Sequence, residues 1–323
     1  MKKVAVIIFT YKRAMLLHNC LETLIQNFEN LDYPIHVIYH YDKKHEASYI
    51  KLQDHFKHKD IIFYKRENLN IYNLGFKLLR ALNLIWILRW PVMLRKMNTF
   101  KFQLEEILKY SKNKFVSLCP DDMIYFDKTE IDNSVFQKFE NKEDYFQYRY
   151  FTSNNFQKPH ELDKNLKIEY FKVDNNKNFF GWSFKDKKAF GVWKYRFTIE
   201  GTIYSTHSLL KFLKPMIYHN PITLEAIGLW ESRIRNFFHN GLSSVRRTAA
   251  TYQINNVQKL VNTPSANFDV DLMMRAYMDG YKFLYDKSDF ELNEHDTTPK
   301  DLYFFKDDKS KSINYQTLKD IYN

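Results

Sequence analysis

The chain has 323 residues, of which 45% are hydrophobic and 27% charged, values typical of a folded protein with a sizeable core. Its formal net charge of +11 favours an anionic partner or substrate, but lysine and arginine are scattered and no named nucleic-acid motif is present. Two cysteines, Cys20 and Cys119, exclude a disulfide framework or a cysteine metal cage, and no uncharged stretch reaches the length of a membrane span.

The first 65 residues alternate between strand and helix patterns. The apolar run "KVAVIIF" predicts a strand buried on both faces, and "AMLLHNCLETLIQNF" has apolar residues at helical spacing. A second strand, a second helix and a third strand are predicted in "YPIHVIYHYD", "EASYIKLQDHFKH" and "DIIFYKR". This order implies a parallel sheet with right-handed crossovers, in which ligands bind beyond the carboxyl ends of the strands.

Two helices follow on either side of Pro91, in "GFKLLRALNLIWILRW" and "FKFQLEEILKYSK". The first has a wide apolar face around Trp86 with arginines at its edge. It is either a core helix or an amphipathic helix that faces a membrane or an acceptor.

Two adjacent carboxylates, Asp121 and Asp122, stand at the end of the next predicted strand, "KFVSLC". Like charges at that distance repel, and burying them costs free energy unless a cation compensates. Aspartate after proline is also common in turns, so a plain turn is the alternative. The position at the carboxyl end of a buried strand favours a ligand site.

The second half of the chain has weaker periodicity, and residues 136–180 predict short strands and loops. "RFTIEGTIYST" predicts a strand that contains Gly201, and helices follow in "THSLLKFLKPM", with a Ser or Thr cap, and "NPITLEAIGLWESRIRNFF". A late strand is predicted in "SVRRTAATYQINNVQ", and a helix, a glycine turn and a strand in "DVDLMMRAYMDGYKFLY". The last 17 residues, from Asp307, predict a polar tail.

About the first 125 residues resemble GT-A glycosyltransferases, and most of all the inverting bacterial enzymes of family 2. "VAVIIFTYKRAMLLHNCLETL" is similar to the family's opening strand, Thr-Tyr-basic loop and helix. Asp42 ends the second strand, "NLNIYNLGF" supplies an Asn-Leu-Gly step at Asn73, and "CPDDM" stands where the family has its Asp-x-Asp motif. The chain departs from the motif at Pro120 and Met123, which flank the carboxylate pair.

The resemblance implies an α/β fold of the GT-A, Rossmann-like type, with a mostly parallel central sheet flanked by helices and a C-terminal extension of helices and strands. Residues 1–260 would form the catalytic domain, with a nucleotide-sugar-binding half in 1–126 and an acceptor half in 127–260. Residues 261–323 would form an extension packed on that domain.

The resemblance also implies a site for a nucleotide-diphosphate sugar. Its expected nucleotide-sugar-binding residues are Thr10, Tyr11, Arg13, Asp42, Asn73, Asp121 and Arg247. Asp122 is the expected ligand of Mn²⁺ or Mg²⁺, hard cations that prefer oxygen. Such a cation neutralises a diphosphate, helps it to leave and makes the repulsion between the two aspartates tolerable. Arg246 and Arg247 are alternatively a solvated pair.

A general base for the acceptor is implied by the order of "IEGTIYSTHSLLKFLKPMIYHNPITLEAIGLW". That order puts Glu225 in the base position, with Glu200 and Glu231 as the other candidates. The alternative for Glu225 is a first-turn glutamate favoured by the helix dipole. The two histidines nearest the expected site, His18 and His207, are expected to be structural.

The predicted function is transfer of a sugar to a glycan or lipid-linked acceptor in bacterial capsule or lipopolysaccharide synthesis. A sugar nucleotidyltransferase is an alternative, although the Gly-rich phosphate loop of that class is absent after the first strand. A basic nucleic-acid-binding protein is a second alternative. For the glycosyltransferase, no nucleic-acid partner is expected. The apolar run Val4–Phe9 is too short for a signal peptide, so we expect a cytoplasmic enzyme, peripheral on the inner face of the cell membrane.

Overall fold

A computed structural model describes residues 2–67, 98–140, 145–152, 172–175, 177–186, 191–235, 239–255, 266, 268–291, 299 and 301–322. Asn73 and the helix predicted around Trp86 lie outside these residues. No helix in the described ranges is long and apolar enough to span a bilayer.

A large sheet forms the centre of the protein. Its strands are β1 (Ala5–Tyr11), β2 (Ile35–His40), β3 (Ile61–Lys65), β4 (Phe115–Pro120), β6 (Tyr145–Arg149), β7 (Lys172–Asn175), β8 (Phe179–Ser183), β9 (Thr202–Ser205) and β10 (Asn240–Ser244). They are arranged in the order β3-β2-β1-β4-β9-β6-β10-β8-β7. Two further strands, β5 (Met123–Tyr125) and β11 (Ala249–Thr251), form a separate antiparallel ladder.

The sheet is mixed. The first four strands, β3, β2, β1 and β4, are parallel, as the sequence predicts. Beyond them β9 is antiparallel to both of its neighbours, β6 and β10 are parallel, and β8 is antiparallel to β10 and β7. The predicted α/β class is therefore confirmed; the half that begins the chain is wholly parallel, whereas the other half is mostly antiparallel.

Helices cover both faces of this sheet. They are α1 (Ala14–Asn27), α2 (Glu46–His55), α3 (Phe100–Tyr110), α4 (Asn133–Glu140), α5 (Thr206–Leu213), α6 (Pro221–Ile234), α7 (Val270–Met278), α8 (Ser288–Glu291) and α9 (Tyr315–Tyr322). Strand β1 supplies both cores because its side chains alternate between the faces. Val6 and Ile8 pack with α1, whereas Ile7 and Phe9 pack with α3 and α5.

Helix α6 begins at a well-defined cap. The side chain of Asn220 accepts a hydrogen bond from the amide of Thr223, the Thr223 hydroxyl accepts one from the Asn220 amide, and Pro221 occupies the first helical position. The cap predicted for α5 is absent, because Ser205 stands at that position without a side-chain capping bond. The glutamate that matters for the site, Glu225, therefore lies beyond the capped first turn.

The C-terminal residues pack against α1 and α2. They form α7, α9 and a small antiparallel sheet of β12 (Lys282–Leu284), β13 (Tyr303–Phe305) and β14 (Ile313–Asn314). The side chain of Asn19 in α1 donates to the Phe283 carbonyl at 3.0 Å. The prediction of a polar tail is wrong for residues 315–322, because they form α9 and its Leu318 is fully buried.

Candidate functional site

A cavity of about 340 Å³ lies at the carboxyl ends of β1, β2, β3 and β4. Its lining includes five residues that the sequence singles out: Thr10, Tyr11, Arg13, Asp122 and Glu225. Glu200, an alternative base candidate, also lines it. The structure thus brings together, around one space, residues from both halves of the chain.

Arg13 connects the two carboxylates. Its guanidinium binds both oxygens of Asp121, with Nε at 3.1 Å from Oδ2 and Nη2 paired with Oδ1. The same guanidinium donates through Nη1 to Asp122 Oδ2 at 2.9 Å. The hydroxyl of Thr10 donates to Asp121 Oδ2 at 2.6 Å. The single guanidinium therefore offsets one of the two negative charges of the pair from within the protein.

The electrostatics of this cluster follow from its burial. Burial raises the pKa of Asp121 to about 6, and the guanidinium of Arg13 opposes that rise. Burial lowers the pKa of Arg13, but the carboxylates of Asp121 and Asp122 outweigh it and hold that pKa above its ordinary value. Burial also raises the pKa of Tyr49, which shares the Thr10 hydroxyl at 2.8 Å.

Asp121 and Asp122 have different surroundings. Asp121 is fully buried and is not among the residues that line the cavity, so its carboxylate holds Arg13 and Thr10 in place. Asp122 lines the cavity, and its Oδ1 is buried without a hydrogen-bond partner among the described residues. The expected metal would therefore not be the first cation at the pair: Arg13 contacts both carboxylates, and Oδ1 of Asp122 remains as a candidate ligand for a divalent cation.

A second set of oxygens lines the cavity at the end of strand β11 and in the residues that follow it. This strand pairs with β5, and the amide of Tyr252 donates to the Asp122 carbonyl at 2.8 Å. Three side-chain oxygens there are buried and have no hydrogen-bond partner within the described ranges; they are Oγ1 of Thr251, Oε1 of Gln253 and Oδ1 of Asn255. Buried acceptors without partners cost free energy, which a ligand with hydroxyl groups or a cation would recover.

Sequence reasoning missed these three residues because "TYQINN" has the composition of an ordinary loop. The available signal was its place immediately after a predicted late strand. The structure adds the decisive fact, which is the pairing of that strand with residues 123–125.

An aromatic and cationic group lines another part of the cavity. The rings of Tyr11 and His40 are stacked, with centroids 5.6 Å apart and planes 9° from parallel. The guanidinium of Arg66 lies 5.9 Å from the Tyr11 ring centroid. Burial lowers the pKa values of both Arg66 and His40. A planar ring and an anion are the ligands that such a group suits.

Arg66 was also missed from the sequence, although "DIIFYKR" ends at it. Its amide donates to the Tyr39 carbonyl at 2.8 Å, so it continues from β3 to the carboxyl edge of the sheet. Its Nε is buried without a hydrogen-bond partner in the described part of the chain. A strand-terminal arginine at this edge was the signal.

Glu225 is held by the segment that precedes β9. Its Oε1 accepts from the Thr198 hydroxyl at 2.7 Å and from the Ile199 amide at 3.1 Å. The approach is close because Gly228, one turn later in α6, lies against the Phe197 ring. The interpretation of Glu225 as a first-turn glutamate is wrong, because Asn220 caps the helix and the first turn contains no acidic residue.

The remaining candidates lie outside the cavity lining. Glu231 is buried and its Oε2 accepts from Arg235 Nε at 2.6 Å. Asp42 follows β2 as predicted, but its carboxylate caps residues 43–45 and pairs with Lys12 and His45, each at 2.6 Å. Arg247 is buried in front of β11.

The two structural histidines have different positions. His207 is exposed at the start of α5, and His18 is buried in α1. Arg246 is exposed and pairs with Asp127, whereas the sequence leaves it either solvated or at a diphosphate.

Several oxygens that line the cavity are suitable ligands for a divalent cation. Asp122 Oδ1 and the oxygens of Thr251, Gln253 and Asn255 are hard donors of the type that Mg²⁺ and Mn²⁺ prefer. Asp121 cannot contribute without giving up Thr10 and Arg13. The residues therefore fit a cation held by one carboxylate and neutral oxygens, with the ligand supplying the rest.

Comparison with known proteins gives similarity at the level of solved structures. No family model and no curated protein matches the chain. The structure is similar to that of S. aureus TarS residues 1–349, at 14% identity and a TM-score of 0.39, over 76% of this chain and 58% of that one. It is also similar to the same protein in complex with UDP-GlcNAc, at 11% identity and a TM-score of 0.40, over 84% and 65%.

A third similar structure is that of WbbM, described as a bifunctional glycosyltransferase, at 10% identity and a TM-score of 0.33, over 73% of this chain and 37% of that one. The chain thus spans less than two thirds of the length of the chain in each of these three structures. The fold assignment rests on the strand order above, and the interpretation of the site rests on its geometry.

Proposed function

We propose that this protein is a glycosyltransferase that moves a sugar from a nucleotide-diphosphate donor to an acceptor hydroxyl. The observation that carries the proposal is the cavity itself. It combines a stacked ring pair with a cation, an arginine-held carboxylate, unpartnered buried oxygens and a positioned glutamate. A nucleobase, a diphosphate and a sugar ring are the three chemistries that these groups match. UDP-GlcNAc, present in the TarS structure, belongs to this donor class.

In the proposed reaction Arg13 and Arg66 bind the diphosphate, since guanidinium groups donate to phosphate oxygens in a fixed geometry. Of the unpartnered oxygens of Thr251, Gln253 and Asn255, those that do not hold a divalent cation accept hydrogen bonds from sugar hydroxyls. Asp121 keeps Arg13 oriented through two hydrogen bonds, so the guanidinium is in place before the donor arrives.

Glu225 is the proposed general base. Thr198 and the Ile199 amide both bind Oε1, which fixes the carboxylate at the cavity, where it takes the proton of the acceptor hydroxyl. Attack from the side away from the diphosphate inverts the anomeric centre. Glu200 is the alternative base because it lines the same cavity.

A divalent cation is the proposed cofactor, held by Asp122 with Thr251, Gln253 or Asn255. When bound it neutralises negative charge on the departing diphosphate. We further propose a glycan or lipid-linked acceptor in bacterial surface polysaccharide synthesis, and a cytoplasmic enzyme that rests on anionic membrane. The net charge of +11 supports that location, and absence of flotation with anionic vesicles at low salt would contradict it.

A panel of nucleotide sugars in a thermal-shift assay tests the proposal. The true donor raises Tm by mass action. At 100 times its Kd it adds about 2.7 kcal/mol to the free energy of unfolding. The matched nucleoside triphosphate and sugar 1-phosphate are included because a nucleotidyltransferase would respond to those. Asp122→Asn should abolish the Tm rise with the donor. Equal shifts with every nucleotide sugar, or salt-sensitive binding to any DNA instead, would reject a glycosyltransferase.

A further inference from the structure

A cluster of two histidines and a glutamate lies outside the cavity lining, between α1 and α2. His18 and Glu22 are four residues apart in α1 and therefore share one face of that helix. His18 Nε2 lies 3.0 Å from Glu22 Oε1. His55, the last residue of α2, places its Nε2 3.8 Å from the same oxygen.

The three ligand atoms all lie within 4.8 Å of one another. In a tetrahedral Zn²⁺ site with bonds of about 2.1 Å, neighbouring ligand atoms are about 3.4 Å apart. The observed separations bracket that value, so small side-chain rotations suffice to close the site. We propose that His18, Glu22 and His55 bind a Zn²⁺ ion, with a water molecule or an external ligand in the fourth position.

The surroundings of His18 support this assignment. The ring is 2% exposed, and its Nε2 has no hydrogen-bond partner in the described residues apart from the ion-pair contact with Glu22. Its Nδ1 lies 3.0 Å from the hydroxyl of Tyr277 in α7. Zinc-binding histidines use the second ring nitrogen in this way to fix their orientation. Tyr277 is thus the positioning residue of the site.

Lys282 is the competitor. Its Nζ donates to Glu22 Oε1 at 2.7 Å, so its ammonium group lies where the ion's charge is needed. The side chain is 30% exposed and can turn towards solvent when the metal enters. The bound ion would join α1 and α2 beside α7, and so connect the C-terminal segment to the helix that follows Arg13.

Calorimetric titration of the metal-free full chain with ZnCl₂ tests the site. We expect one tight Zn²⁺ per chain, lost in His55→Ala and Glu22→Gln and kept in His58→Ala, an exposed histidine three residues from His55. Lys282→Met should tighten binding, and Tyr277→Phe should weaken it about 10-fold. Co²⁺ in place of Zn²⁺ should give the visible absorption bands of a tetrahedral site.

His55 and Glu22 are partly exposed, so these variants are expected to fold, and circular dichroism checks that they do. Asp122→Asn should leave zinc binding unchanged, which separates this site from the cavity and from the proposed transferase reaction. The proposal is overturned if the native chain takes up no zinc, or if His55→Ala binds it as tightly as the native chain.

Discussion

The guanidinium of Arg13 binds both carboxylate oxygens of the fully buried Asp121 and also reaches Asp122. This arrangement offsets part of the repulsion between two adjacent aspartates that follow a buried strand. It also makes Arg13 a structural residue and a ligand-binding candidate at once, since the same side chain lines the cavity.

Replacing Arg13 by methionine should destabilise the fold. The change leaves the buried Asp121 without its cation, a situation that costs about 3 kcal/mol or more. Urea denaturation monitored by circular dichroism measures the free energy of unfolding. Arg246→Met is the matched control, because that arginine is exposed and its pair with Asp127 is worth at most about 1 kcal/mol. Equal losses for the two variants would contradict a structural role for the Arg13–Asp121 pair.

Adding Asp121→Asn to Arg13→Met should recover part of that stability, because the uncompensated buried charge is then removed. A double variant that is less stable than Arg13→Met alone would show that the charge of Asp121 is compensated by another group.

Glu225→Gln should lower transfer by roughly 10²–10⁴ while leaving donor affinity unchanged. Glutamine keeps the oxygen that accepts from Thr198 and Ile199, so the helix position is preserved. Turnover with the donor identified by thermal shift is the measurement. Glu231→Gln serves as the control, since Glu231 pairs with Arg235 outside the cavity lining and should retain activity. Near-normal turnover in Glu225→Gln would move the base to Glu200.

Arg66→Met should weaken nucleoside-diphosphate binding about tenfold, because the partly buried guanidinium at the cavity, with its buried Nε, can no longer make charge-assisted hydrogen bonds. Lys65→Met removes the same charge from the exposed neighbouring residue and should have little effect. Calorimetry with the nucleoside diphosphate of the true donor compares the two. Similar affinities for both variants would place the diphosphate elsewhere.

Asp42→Ala was expected from the sequence to weaken nucleoside-diphosphate binding. Because its carboxylate is used by Lys12 and His45 and does not line the cavity, we expect a smaller loss than for Arg66→Met. The same calorimetric titration measures it. A larger loss for Asp42→Ala would restore Asp42 as the main nucleotide contact.

Gly228→Ala should lower the free energy of unfolding by about 1–3 kcal/mol through overpacking. A Cβ atom there would lie 2.3 Å from Cδ1 of Phe197, whose ring is fully buried and stacked on Tyr204. Thermal unfolding of the variant measures the loss, and Phe197→Leu in the same chain should restore part of it. A fully stable Gly228→Ala variant would show that α6 can move away, which should then disturb Glu225.

The first four strands could be predicted because they are apolar runs with long crossovers, whose pattern is local. The strand pairing of the other half could not be predicted, because β9 pairs with β4 and β6, and β10 with β6 and β8, and no local period indicates these long-range partners. Thr10, Tyr11, Arg13, Asp122 and Glu225 were expected from the resemblance to GT-A enzymes, and all five line one cavity.

The contact between Arg13 and the aspartate pair was not predicted. Arg13 was predicted to bind the donor, but its double contact with Asp121 depends on side-chain geometry across two parallel strands. Thr251, Gln253 and Asn255 became visible only through the pairing of β11 with β5. Sequence patterns therefore locate the edge of the sheet, and long-range pairing decides which side chains meet there.

The hydrogen bond from Arg13 Nη1 to the Asn255 carbonyl, 3.3 Å long, joins residues 242 positions apart in the chain. At a synthesis rate of about 5–20 residues per second, roughly 12 to 48 s separate the appearance of its two ends. Before Asn255 has emerged from the ribosome, Arg13 and both aspartates have been synthesised, but the cavity still lacks part of its lining. A ligand that binds the oxygens of Thr251, Gln253 and Asn255 therefore cannot stabilise the nascent chain before those residues have been synthesised.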